Sequence, residues 1–390
     1  MKKVLISAPL LSASGYGHHS RQIFEFLLTQ ENISIFCDIT QWGSSSWHLT
    51  EKTTDNLLNN ILERFVSESH LSNHDFDECI TVSFPHEWKF LGKKNIGVTA
   101  GIESEIVPYA WIEKVNKCDK VIVTSEFTKN SFLNCATKNN VNITTEINVV
   151  YQYFNEYNNI NTNILDCVKT SKNILVMGQI TDLNQDDDRK NVLNSLESLA
   201  RICVGLKDVG IVFKTNIRNN SYKDYEETCK IFSQRIELIR KETEDKMPKV
   251  YLIHGNLSNS EVQSIYNSNK ISVLVSLSKG EGFGRCLLEA AANKLPIIAT
   301  DYSAYKEFLK DNFIKVDYSI QETLPNKHFS RFLGFKPTYA EYDNKSLHIA
   351  ILKYFNNESD YNNIAIKLQK NIKNSFCKES IFKSYNLCLT

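Results

Sequence analysis

Two glutamates, one in a short glycine-containing loop and one in the helix predicted after it, lie in the last third of the chain. Glu281 lies in the loop 279–284, and Glu289 follows eight residues later, a little more than one turn into the next predicted helix. A carboxylate can accept hydrogen bonds from two hydroxyl groups, which is the chemistry needed to hold a sugar or a ribose. The N–H groups and positive dipole end of a helix start suit a diphosphate. This segment therefore predicts a site for a phosphorylated ligand with many hydroxyl groups.

The elements around this loop position it as a binding site. Apolar runs predict strands at 271–276 and 295–299, with a helix at 284–294 between them. Ligands of an open parallel sheet bind beyond the carboxyl ends of its strands, which is where the loop would lie. Its glycines permit tight turns and a close approach of the backbone to a ligand.

Strands and helices alternate along the rest of the chain. Further strands are predicted at 4–8, 33–37, 95–99, 120–125, 173–178, 209–214 and 250–255. Further helices are predicted at 21–28, 108–116, 191–202, 222–242 and 260–267. This alternation is typical of parallel sheets covered by helices.

The pattern predicts an α/β protein with two Rossmann-like, doubly wound domains. The Asn- and Thr-rich stretch 153–171 is weakly periodic and is interpreted as the linker. We therefore predict an N-terminal domain at 1–160 and a second domain at 161–355. We expect a helical segment at 356–390 that packs back on the first domain.

Composition excludes several classes of protein. The 390 residues include 45 Lys and Arg and 45 Asp and Glu, so the formal net charge is zero and gives no support for a large electrostatic footprint on nucleic acid. Ten scattered cysteines, with no CxxC pair, favour free thiols in a reducing compartment. No stretch approaches the roughly 20 apolar residues of a membrane span. We expect a soluble, cytoplasmic protein.

The segment 281–289, Glu-Gly-Phe-Gly-Arg-Cys-Leu-Leu-Glu, resembles the E-x7-E motif of retaining GT-B glycosyltransferases, particularly family 4. In that family the first Glu contacts the donor sugar and the second holds the ribose hydroxyls. The residues between them, here Gly282, Phe283 and Gly284, offer backbone N–H groups to the sugar or phosphate. The resemblance implies a GT-B fold, in which two Rossmann-like domains face a central cleft. It implies that the domain at 1–160 is the acceptor-side domain and that the domain at 161–355 binds the nucleotide sugar.

The resemblance extends beyond this motif. Gly255 and Asn256 resemble the family's loop near the donor base, and the likeness covers 173–307 well and the first half of the chain more loosely. It implies transfer of a sugar from a nucleotide-diphosphate sugar to an acceptor hydroxyl, with retention of anomeric configuration. The donor is then a substrate, and no cofactor is expected.

Basic residues follow two other predicted strands of the second half. Arg189 and Lys190 stand late in the loop after its first strand, and Lys214 ends the next strand. In the family such residues contact the diphosphate, and a lysine suits this as a compact point charge. We predict Lys190 and Lys214, with Glu281, as the catalytic set and Arg189 as donor-binding. Gln179 stands where many relatives carry Arg or Ser, so the basic pair stays open, and ordinary surface cations are the alternative.

An acidic run in the same loop, Asp186 to Asp188, has the form of a metal-binding DxD motif. That motif belongs to the other main glycosyltransferase fold, where it follows a strand directly. Here it stands late in a polar loop ahead of a predicted helix, where acidic residues are favoured. We therefore predict no metal.

The first half offers weaker candidates. Gly15 and Gly17 resemble the family's glycine-containing loop after the first strand, which faces the donor; a plain β–α turn is the alternative. The family's usual histidine at the end of a middle strand has no counterpart near Glu103. Glu103, His86 and His19 are therefore candidates for the acceptor or sugar side, although a lone polar residue is more often structural.

Other functions and several acceptors stay open. A GT-B-type nucleotide-sugar epimerase and a non-catalytic nucleotide-sugar-binding protein are the alternatives, while a phosphorylase finds no support in a pyridoxal-binding lysine region. The acceptor could be a glycan, a lipid-linked sugar, a protein or a hydroxylated nucleobase of phage DNA, so nucleic acid enters only as an acceptor. Trp42 and Trp47 could stack on a sugar ring or base, or anchor a core.

Overall fold

The computed structural model describes residues 1–48, 56–156, 163–322 and 335–389. The chain divides into two compact units. Unit 1 comprises 1–153, 323–338 and 378–390, and unit 2 comprises 154–322 and 339–377. The segment 356–390 is thus divided between the units.

Unit 1 contains a six-stranded parallel sheet with the order β2-β1-β3-β4-β5-β6. Its strands are β1 (Lys2–Ala8), β2 (Ile33–Ile39), β3 (Phe76–Val82), β4 (Gly92–Thr99), β5 (Lys120–Val123) and β6 (Ile147–Val149). The helices described between them are α1 (Gly15–Leu28), α2 (Asn56–Glu63), α3 (Ala110–Val115) and α4 (Glu126–Lys138). The strand order reverses between β1 and β3, which makes this point the topological switch of the sheet.

Helix α1 begins earlier than the sequence predicted. The hydroxyl of Ser14 caps it by accepting a hydrogen bond from the Gly17 N–H at 3.1 Å. Gly15 and Gly17 therefore lie in the first turn of the helix, and their predicted placement in a loop was wrong. A Cβ on Gly17 would collide with the carbonyl oxygens of Ser12 and Pro9, so this position needs a glycine for close packing of the turn.

Unit 2 contains a second six-stranded parallel sheet with the order β12-β11-β10-β7-β8-β9. Its strands are β7 (Lys172–Met177), β8 (Val209–Thr215), β9 (Lys249–His254), β10 (Ile271–Ser276), β11 (Ile297–Thr300) and β12 (Ile314–Val316). Its helices up to β12 are α5 (Val192–Ile202), α6 (Tyr222–Glu242), α7 (Asn259–Asn267), α8 (Arg285–Ala292) and α9 (Lys306–Leu309). Here the order reverses between β7 and β10. The predicted α/β class with two Rossmann-like sheets is confirmed.

The end of the chain is mainly helical. A two-stranded sheet of β13 (Tyr318–Glu322) and β14 (Thr338–Tyr342) precedes it. Helices α10 (Asn344–Asn356) and α11 (Glu358–Ser375) belong to unit 2, and α12 (Lys378–Leu389) belongs to unit 1. Among the helices that the structure describes, none combines the length and apolar character needed to cross a membrane.

Local sequence explains why these helices begin where they do. Ser258 and Glu261 form a reciprocal capping box at the start of α7, and Ser221 caps α6 by accepting from the Asp224 N–H. Apolar residues of α5, α6 and α10 form one core with residues of β7, β8 and β10. The sheet therefore holds its carboxyl-end loops on a rigid base.

Candidate functional site

The carboxyl edge of the unit 2 sheet gathers most of the predicted donor residues. Along the strand order, Glu281 follows β10, Lys190 follows β7, Lys214 lies in β8 and Gly255 follows β9. Glu281 and Lys190 therefore stand on either side of the topological switch between β10 and β7, where ligands of open α/β sheets bind.

An ion pair joins these two residues although 91 positions separate them in sequence. The Nζ of Lys190 lies 2.5 Å from Glu281 Oε1, and Arg189 Nη1 lies 3.8 Å from Oε2 of the same carboxylate. The Glu281 side chain is only 11% exposed. Burial alone would raise the pKa of Glu281, but the charges of Lys190 and Arg189 outweigh burial and hold it below its usual range. Glu281 is thus an ionised carboxylate held between two cations.

Neighbouring loops fix the backbone that carries Glu281. Its N–H donates to Ser303 Oγ at 3.0 Å, and Arg189 Nη1 donates to the Gly280 carbonyl at 2.9 Å. Lys279 is 5% exposed, and its Nζ donates to the Asp186 carbonyl at 2.7 Å and lies 3.2 Å from Glu341. These contacts bind the loop after β10 to the loop after β7.

Lys214 is a partly buried cation with a different environment. Among the described residues its ammonium makes no ion pair or hydrogen bond. Burial lowers the pKa of Lys214, and the positive charge of Arg285 lowers it further, while Cys286 acts in the opposite direction. A desolvated cation without a carboxylate partner is suited to receive an anion.

The start of α8 is shaped by a glycine. Gly284 caps this helix with φ of 91°, and a Cβ there would lie 2.9 Å from Tyr305 Cβ. The predicted helix start is thus placed at the loop that carries Glu281, with its positive dipole end at the site. The side chain of Phe283 is buried and packs on Phe308, so only its backbone is left for a ligand. Gly282 is buried in the same loop.

Glu289 lies one turn further along α8. Its Oε1 accepts from Arg285 Nε at 3.0 Å, and the Tyr266 hydroxyl lies 3.4 Å from Oε2. The carboxylate is 20% exposed as a side chain, so these two neighbours orient it without enclosing it. Tyr266 was not predicted from the sequence, since nothing in α7 marks it apart from other buried tyrosines.

The loop after β9 is held by a residue that the sequence analysis missed. Asn220 Oδ1 accepts from the Asn256 N–H at 3.0 Å. Gly255 has φ of 85°, and a Cβ there would collide with the same Asn220 oxygen. The side chain of Asn256 is exposed. Asn220 thus fixes the conformation of the loop at Gly255 and Asn256, which we call the base loop.

Asp188 organises the loop that carries Lys190. Its carboxylate accepts from the Thr181 N–H at 3.0 Å, the Thr181 hydroxyl at 2.9 Å and the Val192 N–H at 2.7 Å. These bonds tie the beginning of the loop to the first residue of α5. Within the described ranges, no group of three His, Cys, Asp or Glu side chains is arranged to hold a metal ion.

The predicted residues of unit 1 lie in three environments. His19 is 1% exposed and shares a 2.8 Å hydrogen bond with the Tyr385 hydroxyl, and burial lowers its pKa to about 4. These contacts favour a packing role over the predicted acceptor-side role. His86 is exposed, and its Nδ1 accepts from Trp111 Nε1 at 3.2 Å. Glu103 has φ of 59° in the loop after β4 and is partly exposed.

The unit 2 site can perform two chemical tasks. Lys214, Lys190 and the start of α8 provide positive potential that suits a diphosphate. The carboxylates of Glu281 and Glu289 can accept hydrogen bonds from hydroxyl groups. The family model of glycosyl transferases group 1 matches residues 237–325. The match includes the Glu281 loop, α8 and the base loop.

Several solved structures share the fold of this chain. The sucrose-phosphate synthase of Thermosynechococcus elongatus is 14% identical, with a TM-score of 0.63 over 99% of this chain and 98% of its own. Anabaena HepE in complex with UDP and glucose is 11% identical, with a TM-score of 0.65 over 100% of this chain and 99% of its own. A glycosyltransferase of Rickettsia africae is 15% identical, with a TM-score of 0.64 over 99% and 97%.

These structures confirm the predicted GT-B fold. No curated protein matches the chain significantly. The match to the glycosyl transferases group 1 model supports a glycosyltransferase as the enzyme class.

Proposed function

We propose that this chain is a metal-independent, retaining glycosyltransferase that moves a sugar from a nucleotide-diphosphate sugar to an acceptor hydroxyl. The observation that carries the proposal is the ionised, 11% exposed carboxylate of Glu281 at the switch point, paired with Lys190 beside the start of α8. The resemblance of the segment 281–289 to the E-x7-E motif of family 4 supports the same function. The complex of HepE with UDP and glucose supports a uridine nucleotide as the first donor to test.

Each residue of the site takes a defined part in this reaction. Lys190, Lys214 and the helix start stabilise the negative charge that grows on the leaving diphosphate, which is the largest electrostatic demand of the step. Glu281 holds the transferred sugar, and Glu289 holds the ribose. The acceptor oxygen bonds to the anomeric carbon as the bond to the phosphate oxygen breaks, and that phosphate takes the acceptor proton. Positioning then supplies most of the remaining rate enhancement.

The direct test is a donor screen with the full chain. UDP-, GDP-, ADP- and dTDP-sugars are ranked by thermal shift, and hydrolysis of the best donor is then followed by NMR before and after exhaustive EDTA treatment. We expect hydrolysis that survives EDTA and releases the sugar first with the anomeric configuration of the donor. Inverted product, or activity that only Mn²⁺ or Mg²⁺ restores, would contradict the retaining or the metal-independent part. An epimerised nucleotide sugar would identify an epimerase, and binding without turnover a non-catalytic protein.

A second experiment tests the ribose contact. Because Glu289 would hold the nucleotide whatever sugar is attached, Glu289→Ala should weaken binding of the bare nucleoside diphosphate by roughly tenfold or more, as for a lost charge-assisted hydrogen bond. Calorimetry with UDP and GDP measures this, with the exposed Glu237→Ala in α6 as control. Unchanged affinity for every nucleotide would remove Glu289 from the site.

A further inference from the structure

Aromatic side chains follow three neighbouring strands of unit 1. The Tyr16 ring stacks on Trp42 with centroids 3.9 Å apart and planes at 21°, and Phe84 lies 5.0 Å from Trp42. His86 continues the series by stacking on Phe84 at 5.8 Å. We call Tyr16, Trp42, Phe84 and His86 the aromatic row. All four are exposed or only partly buried, so the row is not part of a closed core.

The aromatic row lies at the topological switch of the unit 1 sheet. Tyr16 comes after β1, and Phe84 comes after β3, the two strands between which the order reverses. The Tyr16 hydroxyl is anchored to the end of β4, where it shares a 2.9 Å hydrogen bond with Thr99 and accepts from the Ala100 N–H at 3.0 Å. The Trp111 indole donates to His86 and orients it. The row is therefore a preorganised surface.

The loops around the row carry negative charge. Those described after β1, β3, β4 and β5 contain three glutamates and one lysine, and a fourth glutamate begins α4. The glutamates are Glu87, Glu103, Glu105 and Glu126. The lysine, Lys89, is committed to Asp38 at 2.7 Å and Glu68 at 3.5 Å. Both Glu103 and Glu87 act electrostatically on the Tyr16 hydroxyl, so they lie close to the row. Arg21 of α1 donates to the carbonyls of Leu10 and Ser12.

We propose that the aromatic row binds the ring of a neutral carbohydrate, and that Glu87 accepts hydrogen bonds from its hydroxyl groups. An aromatic surface with a few polar groups is the usual composition of a small-molecule site, and the C–H face of a sugar ring packs on such a surface. The exposed carboxylate of Glu87 would repel an anionic acceptor. The inference rests on the proposed function, because it identifies this carbohydrate as the acceptor.

The test uses the full chain and two readouts. Saturation-transfer NMR with maltose, lactose and methyl glucoside measures binding without any donor. Acceptor KM is then measured with the donor from the screen, with donor hydrolysis as the separate measure of the donor site. Trp42→Ala should raise the acceptor KM roughly tenfold to a hundredfold, the cost of a lost stacking partner. Trp42→Phe should restore much of the affinity, which a merely destabilised fold would not show.

The charge argument has its own variants. Glu87→Gln should raise KM for a neutral sugar, since the charged acceptor of its hydroxyl protons is lost. If the acceptor were anionic, the same change would lower KM by removing repulsion. Tyr109→Ala, which removes a 47% exposed aromatic outside the row, is the matched control and should change neither readout.

The outcomes separate this inference from the proposed function. Failure to hydrolyse any donor would overturn the proposed function, and the NMR arm would still test the row. Saturation transfer from the neutral sugars that Trp42→Ala abolishes supports the inference. Its absence, or turnover confined to glucose 6-phosphate, polyprenyl phosphate or duplex DNA containing 5-hydroxymethylcytosine, overturns it.

Discussion

Glu281 shows how one side chain can be both buried and charged. Its carboxylate stays ionised because Lys190 and Arg189 replace the water that burial removes. Lys214, in contrast, carries a positive charge without a protein counter-charge among the described residues. At the residue scale, the Glu281 carboxylate is therefore neutralised by protein cations, whereas the Lys214 ammonium is suited to bind an anionic ligand.

A conservative change at Glu281 separates sugar binding from nucleotide binding. Glu281→Gln keeps the shape of the side chain and removes its charge, so fold and bare nucleotide affinity should persist. Transfer should fall by roughly one to two decades, because charge-assisted hydrogen bonds to hydroxyls are worth about 1.5–3 kcal/mol each. Steady-state turnover and UDP calorimetry measure the two effects, with Glu237→Gln as control. Wild-type turnover would refute the sugar contact, and parallel loss of both would mean that the roles of Glu281 and Glu289 are exchanged.

The two lysines should respond oppositely to loss of charge. Lys214→Met should raise the thermal midpoint of the unliganded protein by roughly 2–4 °C per kcal/mol gained, because an unpaired desolvated charge is removed. Lys190→Met should lower the midpoint, because Glu281 loses its partner. Both should weaken diphosphate binding. Thermal melts and calorimetry test this, and a lower midpoint for Lys214→Met would contradict the unpaired state of that ammonium.

The same lysine predicts a pH dependence. The pKa of Lys214 is lowered in the folded protein, so the unfolded chain keeps this proton to higher pH. The contribution of Lys214 to the free energy of unfolding should therefore rise as pH climbs through its lowered pKa toward the ordinary value of 10.5. The difference between wild type and Lys214→Met in urea unfolding should shrink over that window.

At the element scale, the glycine at the start of α8 couples loop and helix. Gly284→Ala forces a left-handed backbone on a residue with a Cβ and drives that Cβ into Tyr305, so we expect a loss of about 1–3 kcal/mol in stability. Nucleotide affinity should fall with it. Gly205→Ala, with φ of 83° and open space around its Cβ, isolates the backbone cost alone. Equal losses in the two variants, measured by urea unfolding, would exclude the clash with Tyr305.

The elements that the sequence predicted well are those with uninterrupted signals. Helix α6 and strand β10 have the predicted bounds, since a serine cap begins the former and an apolar run forms the latter. Strand β3 was missed because Asp77 and Glu78 interrupt its apolar pattern. The structure shows why it can form, since buried Glu78 is ion-paired with Lys2 on the neighbouring strand.

Contacts between distant segments account for the part of the site that sequence alone could not supply. The motif around Glu281 was recognisable from residues close in sequence, and so was the basic character of the loop after β7. The pairing of Lys190 with Glu281 depends on β10 lying beside β7, and the Asn220 support of the base loop depends on a bend after β8. Such pairs follow from strand order, which local patterns do not specify.

At the scale of the whole molecule, charge balance should control solubility. With equal numbers of acidic and basic residues and a pI of about 7.1, the protein carries almost no net charge at neutral pH. Proteins near zero net charge associate most readily. Solubility in polyethylene glycol should therefore be lowest near pH 7 and higher at pH 5.5 and 9. The exposed substitution Lys241→Glu should move the minimum to lower pH, and a minimum that stays in place would point to apolar association.

The Lys190–Glu281 ion pair would compete with any ligand that binds either of its two side chains. On the proposed assignment, a nucleotide sugar would replace both halves of the pair, because its diphosphate would bind Lys190 and its sugar hydroxyls would bind Glu281. The nucleoside diphosphate that is left after transfer would replace only one half, and Glu281 would then attract Lys190, with which it is paired in this structure. The proposed enzyme should consequently show weak product inhibition relative to its affinity for donor, with the spent nucleotide expelled by the re-forming ion pair.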